Sequence, residues 1–321
     1  MRSGDHGGRP SKAFQQGRFE DLPERPRLPH RYYDAETSTL EVRSAPFGAV
    51  ATHVVSYGPR DAPPLLLIHG LMTTSYSWRY MFEQLGDRYR LIAPDLPGSG
   101  RSSIPAGRFS AAALGTFISE LQAALGVAGC PAVANSLGGL LCMHAALRHP
   151  GTFERLVVIH APAVVEPRHV ALHAGLRLPG AKAILERVVR RAPQRWAHRN
   201  IHYYDETLKS LEEAREYGAP LATAAGAGAL IRYLDDALDP RELRALEHRL
   251  RSRRDSGDAF PVALMLVYAR EDPTVAPKVG RTLHALVPDS ELHWLERSSH
   301  FVQVDRPAAL AALLVDFLAR R

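Results

Sequence analysis

The feature that most restricts the fold is a rhythm. Short apolar runs of strand character recur along the chain, and helical patterns fill most of the intervals between them. In order the runs are TLEVRS, ATHVVSYG, PLLLIHG, YRLIAPD, PAVANS, RLVVIHAP, VALMLVYA and ELHWLE. The first two lie close enough to pair as an antiparallel hairpin at a sheet edge. Between the others stand SYSWRYMFEQLG, SAAALGTFISELQAALG, LLCMHAALRHP and KVGRTLHALVP, and PAALAALLVDFLAR follows the last. Parallel strands need long, usually helical crossovers, so the alternation predicts an α/β fold with a mostly parallel eight-stranded sheet and flanking helices.

One interval is too long for this rhythm. From Ala163 to Phe260 the chain reads as helix after helix, in segments such as AKAILERVVRRAPQRWAHR and YYDETLKSLEEAREYG. A structureless loop of that length is improbable in a compact domain, so residues 163–255 are expected to form an inserted helical cap over the carboxyl end of the sheet. Residues 31–162 and 256–321 then make the core. Residues 1–30, rich in Gly, Pro and charge and without an apolar stretch of signal-peptide length, read as a flexible leader.

Composition removes several classes. With 321 residues and 45% hydrophobic content the chain can bury a large core. Its longest apolar runs fall far short of the roughly 20 residues that span a bilayer, so no membrane span is expected. The formal charge is +6, but basic residues are mixed with acids along helical segments, and no nucleic-acid module is recognisable. Cys130 and Cys142 are the only cysteines, placed to diverge from one another, which suits a reducing, cytoplasmic setting. Neither has the neighbours of a metal site, and no metal or organic cofactor is expected.

The stretch PAVANSLGGLL raises the functional question, because Ser136 there is either a helix cap or a nucleophile. Ala134 stands two before it, and Gly138 and Gly139 stand two and three after. This is G-x-S-x-G with Ala in the first slot, the spacing of a sharp strand-to-helix turn whose flanks come too close for large side chains. A cap needs no such glycines, and Gly within a helix costs about 1 kcal/mol relative to Ala.

A nucleophilic serine needs a base and an orienting acid. His300, in SSHFVQVDRP, follows the last strand, where its loop would overhang the serine turn. Asp272, in VYAREDPTVAP, follows the strand before it, with Glu271 and Glu166 as competitors. The chain order Ser, acid, His is the one such a fold uses. The backbone N–H of Leu137 and, after the Gly70 turn, that of Leu71 are the candidate oxyanion donors. His69 reads as a structural hydrogen-bonder. Met72, His160, Trp196, His202, Tyr203, Tyr204 and Phe301 are candidates to line the substrate pocket, against the alternative that the cap aromatics simply pack it onto the core.

With these residues in view, the sequence resembles the α/β-hydrolase family with a helical cap, over residues 38 to 320. The motifs LLLIHGLMTTSYSWRY, RLIAPDLPGSGRSS, VANSLGG, YAREDPTVAP and SSHFVQVDRP occur in family order. TTSYSWR is similar to haloalkane dehalogenases and epoxide hydrolases, whose nucleophile is Asp where this chain has Ser136. They also differ at Leu71, where a halide-binding side chain is missing. The Asn135–Ser136 pair is similar to carbon–carbon bond hydrolases, although the Gly-rich loop usual in those is absent at LMTTS. The resemblance implies a serine hydrolase with a small-molecule substrate: a carboxylic ester hydrolase first, a carbon–carbon hydrolase on the same triad second. A ligand-binding protein that has lost turnover is the third reading.

Overall fold

The computed structural model describes residues 14–320. The part of the expected leader at residues 1–13 lies outside the described residues. Eight strands form one sheet: β1 (Glu36–Ser44), β2 (Gly48–Tyr57), β3 (Pro64–Ile68), β4 (Arg90–Pro94), β5 (Ala132–Asn135), β6 (Arg155–Ile159), β7 (Ala263–Ala269) and β8 (Glu291–Leu295). Their spatial order is β1-β2-β4-β3-β5-β6-β7-β8. The β1–β2 hairpin is antiparallel and β2 meets β4 antiparallel; every other pairing is parallel.

The strand residues divide by parity. Leu66, Ile68, Ala132, Ala134, Leu156, Val158, Leu264 and Leu266 point into one apolar layer, shared with α2 (Ala111–Ala124) and α3 (Leu137–Arg148). Leu65, Leu67, Val133, Val157, Ile159, Met265 and Val267 point into the other, shared with α1 (Arg79–Leu85) and with the last helix of the chain, Pro307–Ala319. Successive side chains leave a strand on opposite faces, so a strand covered on both sides is apolar throughout. That is why PLLLI and RLVVI show no alternation, whereas β1 at the edge is mostly exposed.

The helical insertion comprises α4 (Pro167–Leu176), α5 (Ala181–Arg191), α6 (Pro193–Asn200), α7 (Leu211–Gly218), α8 (Ala224–Arg232) and α9 (Pro240–Asp255). The last of these returns to the core, sinking Leu243, Leu246 and Leu250 into the layer that holds α2 and α3. The chain then runs through β7, α10 (Pro277–Leu286), β8, the single turn α11 (Val302–Asp305) and α12 (Pro307–Ala319).

Two further features help hold the insertion in place. Arg79 on α1, wholly buried, pairs with Glu213 on α7 at 2.7 Å and lies over the rings of Tyr76 and Tyr80. The described part of the expected leader is the second, and it differs from a free tail. Phe14 N–H donates to Tyr204 C=O, and the N–H groups of Leu211 and Glu212 donate to Pro23 C=O and Glu24 C=O. Glu20, Glu24 and Arg27 pair with Arg195, Arg215 and Asp205 of the insertion. Charge and Gly/Pro content suggest solvent, yet the same charges find partners on the insertion. Both cysteines are buried free thiols.

Candidate active site

Strand order reverses between β3 and β5, and the loops leaving the carboxyl ends of those strands flank a crevice where open α/β sheets take their ligands. Ser136 stands at the end of β5 with φ 54° and ψ −121°, a conformation costly for any residue but Gly. Its N–H donates to Ile159 C=O at 2.6 Å. Its side chain does not cap α3, and its hydroxyl has no hydrogen-bond partner among the described residues. The cap reading therefore has no hydrogen bond behind it.

Small residues make the turn possible. A Cβ on Gly138 would stand 2.5 Å from His69 O and 2.8 Å from Ile68 O, and one on Gly70 would stand 3.0 Å from Ser136 Cβ. Ala134 occupies an ordinary strand position paired with Ile68 and Val158, so the first slot of the motif never needs the conformational freedom of Gly here.

His300 is buried, and its Nδ1–H donates to Asp272 Oδ2 at 2.7 Å. Asp272 Oδ1 accepts the Thr274 N–H at 2.6 Å. Burial alone would raise the Asp272 carboxyl, but His300, His160 and the Thr274 N–H outweigh it and hold it down at about 2. The loop of His300 is fixed from two sides. The Asn135 amide donates to His300 C=O at 3.0 Å, tying it to the serine turn. Asp305 accepts the N–H and the hydroxyl of Ser299 together with the N–H of Tyr204 in the insertion.

Ser136 and His300 line one cavity of about 340 Å³ together with Leu71, Met72, Leu137 and Phe301. The N–H groups of Leu71 and Leu137 donate to no described residue. Met72 holds φ 63°, a second strained position at the same wall. The arrangement thus gathers an open hydroxyl, an oriented imidazole and two unengaged amides around one apolar space.

Other expected pocket residues stand elsewhere. His160 is fully buried behind Asp272, with Nε2 accepting the Ala269 N–H at 2.6 Å; burial pushes its pKa down to about 4. Tyr203 donates to Glu213 at 2.6 Å, His202 meets Glu206, and Tyr204 is held at Asp305. Trp196 packs against the small apolar cluster of Val189, Leu221, Ala227 and Leu230. Tyr203 and Tyr204 reach the core at Phe301 and Asp305, Trp196 and His202 are held chiefly within the insertion, and none of the four lines the cavity. The insertion instead contributes Arg168, His169, Leu172, Asn200, Ile201 and Leu238. One signal for them is position, since Arg168 and His169 follow the end of β6 by less than a helix length.

His69 is structural: Nδ1–H donates to Gly70 C=O at 2.8 Å and Nε2 accepts the Leu96 N–H at 2.9 Å. His160, Asp272 and His300 bring ligand-type atoms within 4.8 Å of one another. The Ala269 N–H occupies His160 Nε2 and Asp272 holds His300 Nδ1, so two of the three candidate ligands already have a ring nitrogen engaged.

The sequence matches the family described as alpha/beta hydrolase fold over residues 63–307, and the chain belongs to it. It is 25% identical over 262 residues to the uncharacterized hydrolase YugF of Bacillus subtilis (strain 168), covering 79% of this chain and 89% of that one. It is 26% identical over 261 residues to the 2-hydroxymuconate semialdehyde hydrolase of Pseudomonas sp. (strain CF600), covering 80% and 87%. Among solved structures, the epoxide hydrolase CorEH without ligand superposes with a TM-score of 0.72 at 20% identity, over 88% of this chain and 99% of that one. At such identity the last likeness speaks for the fold alone.

Proposed function

We propose that this chain is a serine hydrolase that cleaves a small or medium carboxylic ester through an acyl-enzyme. The observation that carries the reading is Ser136 at φ 54°, its hydroxyl unengaged, lining one cavity with a histidine that Asp272 orients. Ser136 Oγ attacks the ester carbonyl while His300 Nε2 takes its proton. The imidazolium is stabilised by Asp272, whose low pKa keeps it anionic throughout. The N–H groups of Leu71 and Leu137 donate to the oxyanion, aided by the amino end of α3. Collapse expels the alcohol, which takes the proton from His300. Water, deprotonated by His300, then releases the acid and restores Ser136.

A second reading has a specific observation behind it: the 2-hydroxymuconate semialdehyde hydrolase is similar along most of its length. In that reading the same residues cleave a carbon–carbon bond beside a carbonyl. Faster turnover of a vinylogous diketone than of any ester in a panel selects it.

The test of the common core is intact mass after a fluorophosphonate probe. The expected result is one adduct on wild type, none on Ser136→Ala, and labelling of His300→Ala slowed by about a hundredfold or more. Folded wild type that takes up no probe would overturn the serine-hydrolase reading in favour of a binding protein.

A further inference from the structure

The outer face of the insertion carries a surface that the proposed chemistry leaves unused. Seven large apolar side chains are exposed among the described residues, and four of them, Val170, Leu178, Ile184 and Val188, fall between the start of α4 and the end of α5. Leu178 and Ile184 are each 65% exposed and Val188 is 50% exposed. Such clustering is unusual on a surface with nothing to cover it.

Helix geometry explains the pattern. Val189 is buried and Leu185 packs with it toward Leu221 and Leu230, which fixes the inner side of α5. Ile184 and Val188, four residues apart, make a stripe turned away from that side, and the exposed Arg187 and Arg191 make the adjoining stripe. Arg190 pairs with Glu186, and Arg177 and Lys182 pair with Asp235. Arg187 and Arg191 pair with no described residue. Residues 167–191 hold six Arg and Lys and one acid, Glu186, and Arg168 pairs with Glu166 just before the segment.

Apolar side chains interleaved with unpaired guanidinium groups suit one kind of partner better than others. An anionic lipid surface accepts both, the apolar groups below the headgroups and the guanidinium groups at the phosphates. The same region walls the cavity: α4 lines it with Arg168, His169 and Leu172 while Val170 faces out. We propose that α5 and the turn before it are a membrane-docking face, which seats the insertion on an anionic phospholipid surface beside the cavity. Docking requires no turnover, so it stands or falls apart from the ester reading.

The test is sedimentation of the full chain with vesicles of phosphatidylglycerol and phosphatidylcholine in equal parts, and with phosphatidylcholine alone. Binding to the anionic vesicles is expected to be about tenfold the tighter, and to weaken about tenfold when salt rises from about 0.1 to about 0.5 M. Ile184→Glu with Val188→Glu removes binding, and Arg187→Gln with Arg191→Gln weakens it severalfold, while the melting of both variants stays near wild type because these side chains are exposed. Val188→Cys carrying an environment-sensitive dye shifts its emission to the blue on anionic vesicles. The proposal is overturned by absence of binding to anionic vesicles, by undiminished binding of the Ile184/Val188 variant, or by an unshifted dye. It is equally overturned by a self-associated species in sedimentation velocity that the Ile184/Val188 variant disperses, which assigns the face to a second copy.

Discussion

Ser136 adopts a conformation its own chemistry disfavours, and the residues around it supply the reason it can. Backbone oxygens of Ile68 and His69 press on the place where a Gly138 side chain would begin. Neither oxygen can retreat without moving β3. Gly138→Ala is therefore expected to destabilise the protein by about 2–3 kcal/mol in urea unfolding and to slow probe labelling of Ser136. Gly175, within α4, has open space where its Cβ would stand. Gly175→Ala should leave labelling unchanged and stabilise by up to about 1 kcal/mol, separating the effect of close approach from that of glycine as such.

At the scale of elements, the link between α1 and α7 is made by charge inside the protein. Glu213 faces Arg79, Tyr203 and Lys209 in an interior from which water is excluded. Removing one partner leaves the other charge buried and unpaired, which costs more than the pair contributes. Glu213→Ala is expected to lower stability by about 3–5 kcal/mol, whereas Arg79→Met combined with Glu213→Leu should cost much less than the two single changes added. Urea unfolding of the four proteins of that cycle checks it, and equal additivity would show that the charges do not act as a pair.

For the whole molecule, residues 14–30 lie along α6 and α7 as a strap whose backbone and charges bond to the insertion. Local opening is governed by how many such contacts a segment keeps. Deletion of residues 1–30 is expected to speed amide exchange in α6 and α7 by tenfold or more, while β5 and β6 in the sheet centre exchange as before. Uniform acceleration across the sheet would instead make the strap part of the core's own stability.

All eight strands and the long helical insertion were legible in the sequence, because both rest on local rules: apolar runs of strand length, and helical periodicity that no sheet position interrupts. Ser136, Asp272 and His300 were legible for a related reason, since chain order and position after a strand already place a residue at one end of a parallel sheet. The cavity wall was legible only in part: Met72 and Phe301 line it, but the side chains expected from the insertion do not. Trp196, Tyr203 and Tyr204 share with pocket residues the property of being large and aromatic, but burial against Glu213, Asp305 and the Val189 cluster is decided by how the insertion folds back on the core. His169 and Ile201 carry no chemical mark of their own, and they face the cavity only because α4 and the end of α6 cross the carboxyl ends of the strands. The strap, too, escaped a reading by composition, since charge and proline predict solvent unless oppositely charged partners wait across space. What the sequence determined by itself are the elements and the order of the candidate site residues along the chain, which depend on neighbours in sequence. Only the tertiary structure decided which side chains meet, because that depends on the path of the insertion over the sheet.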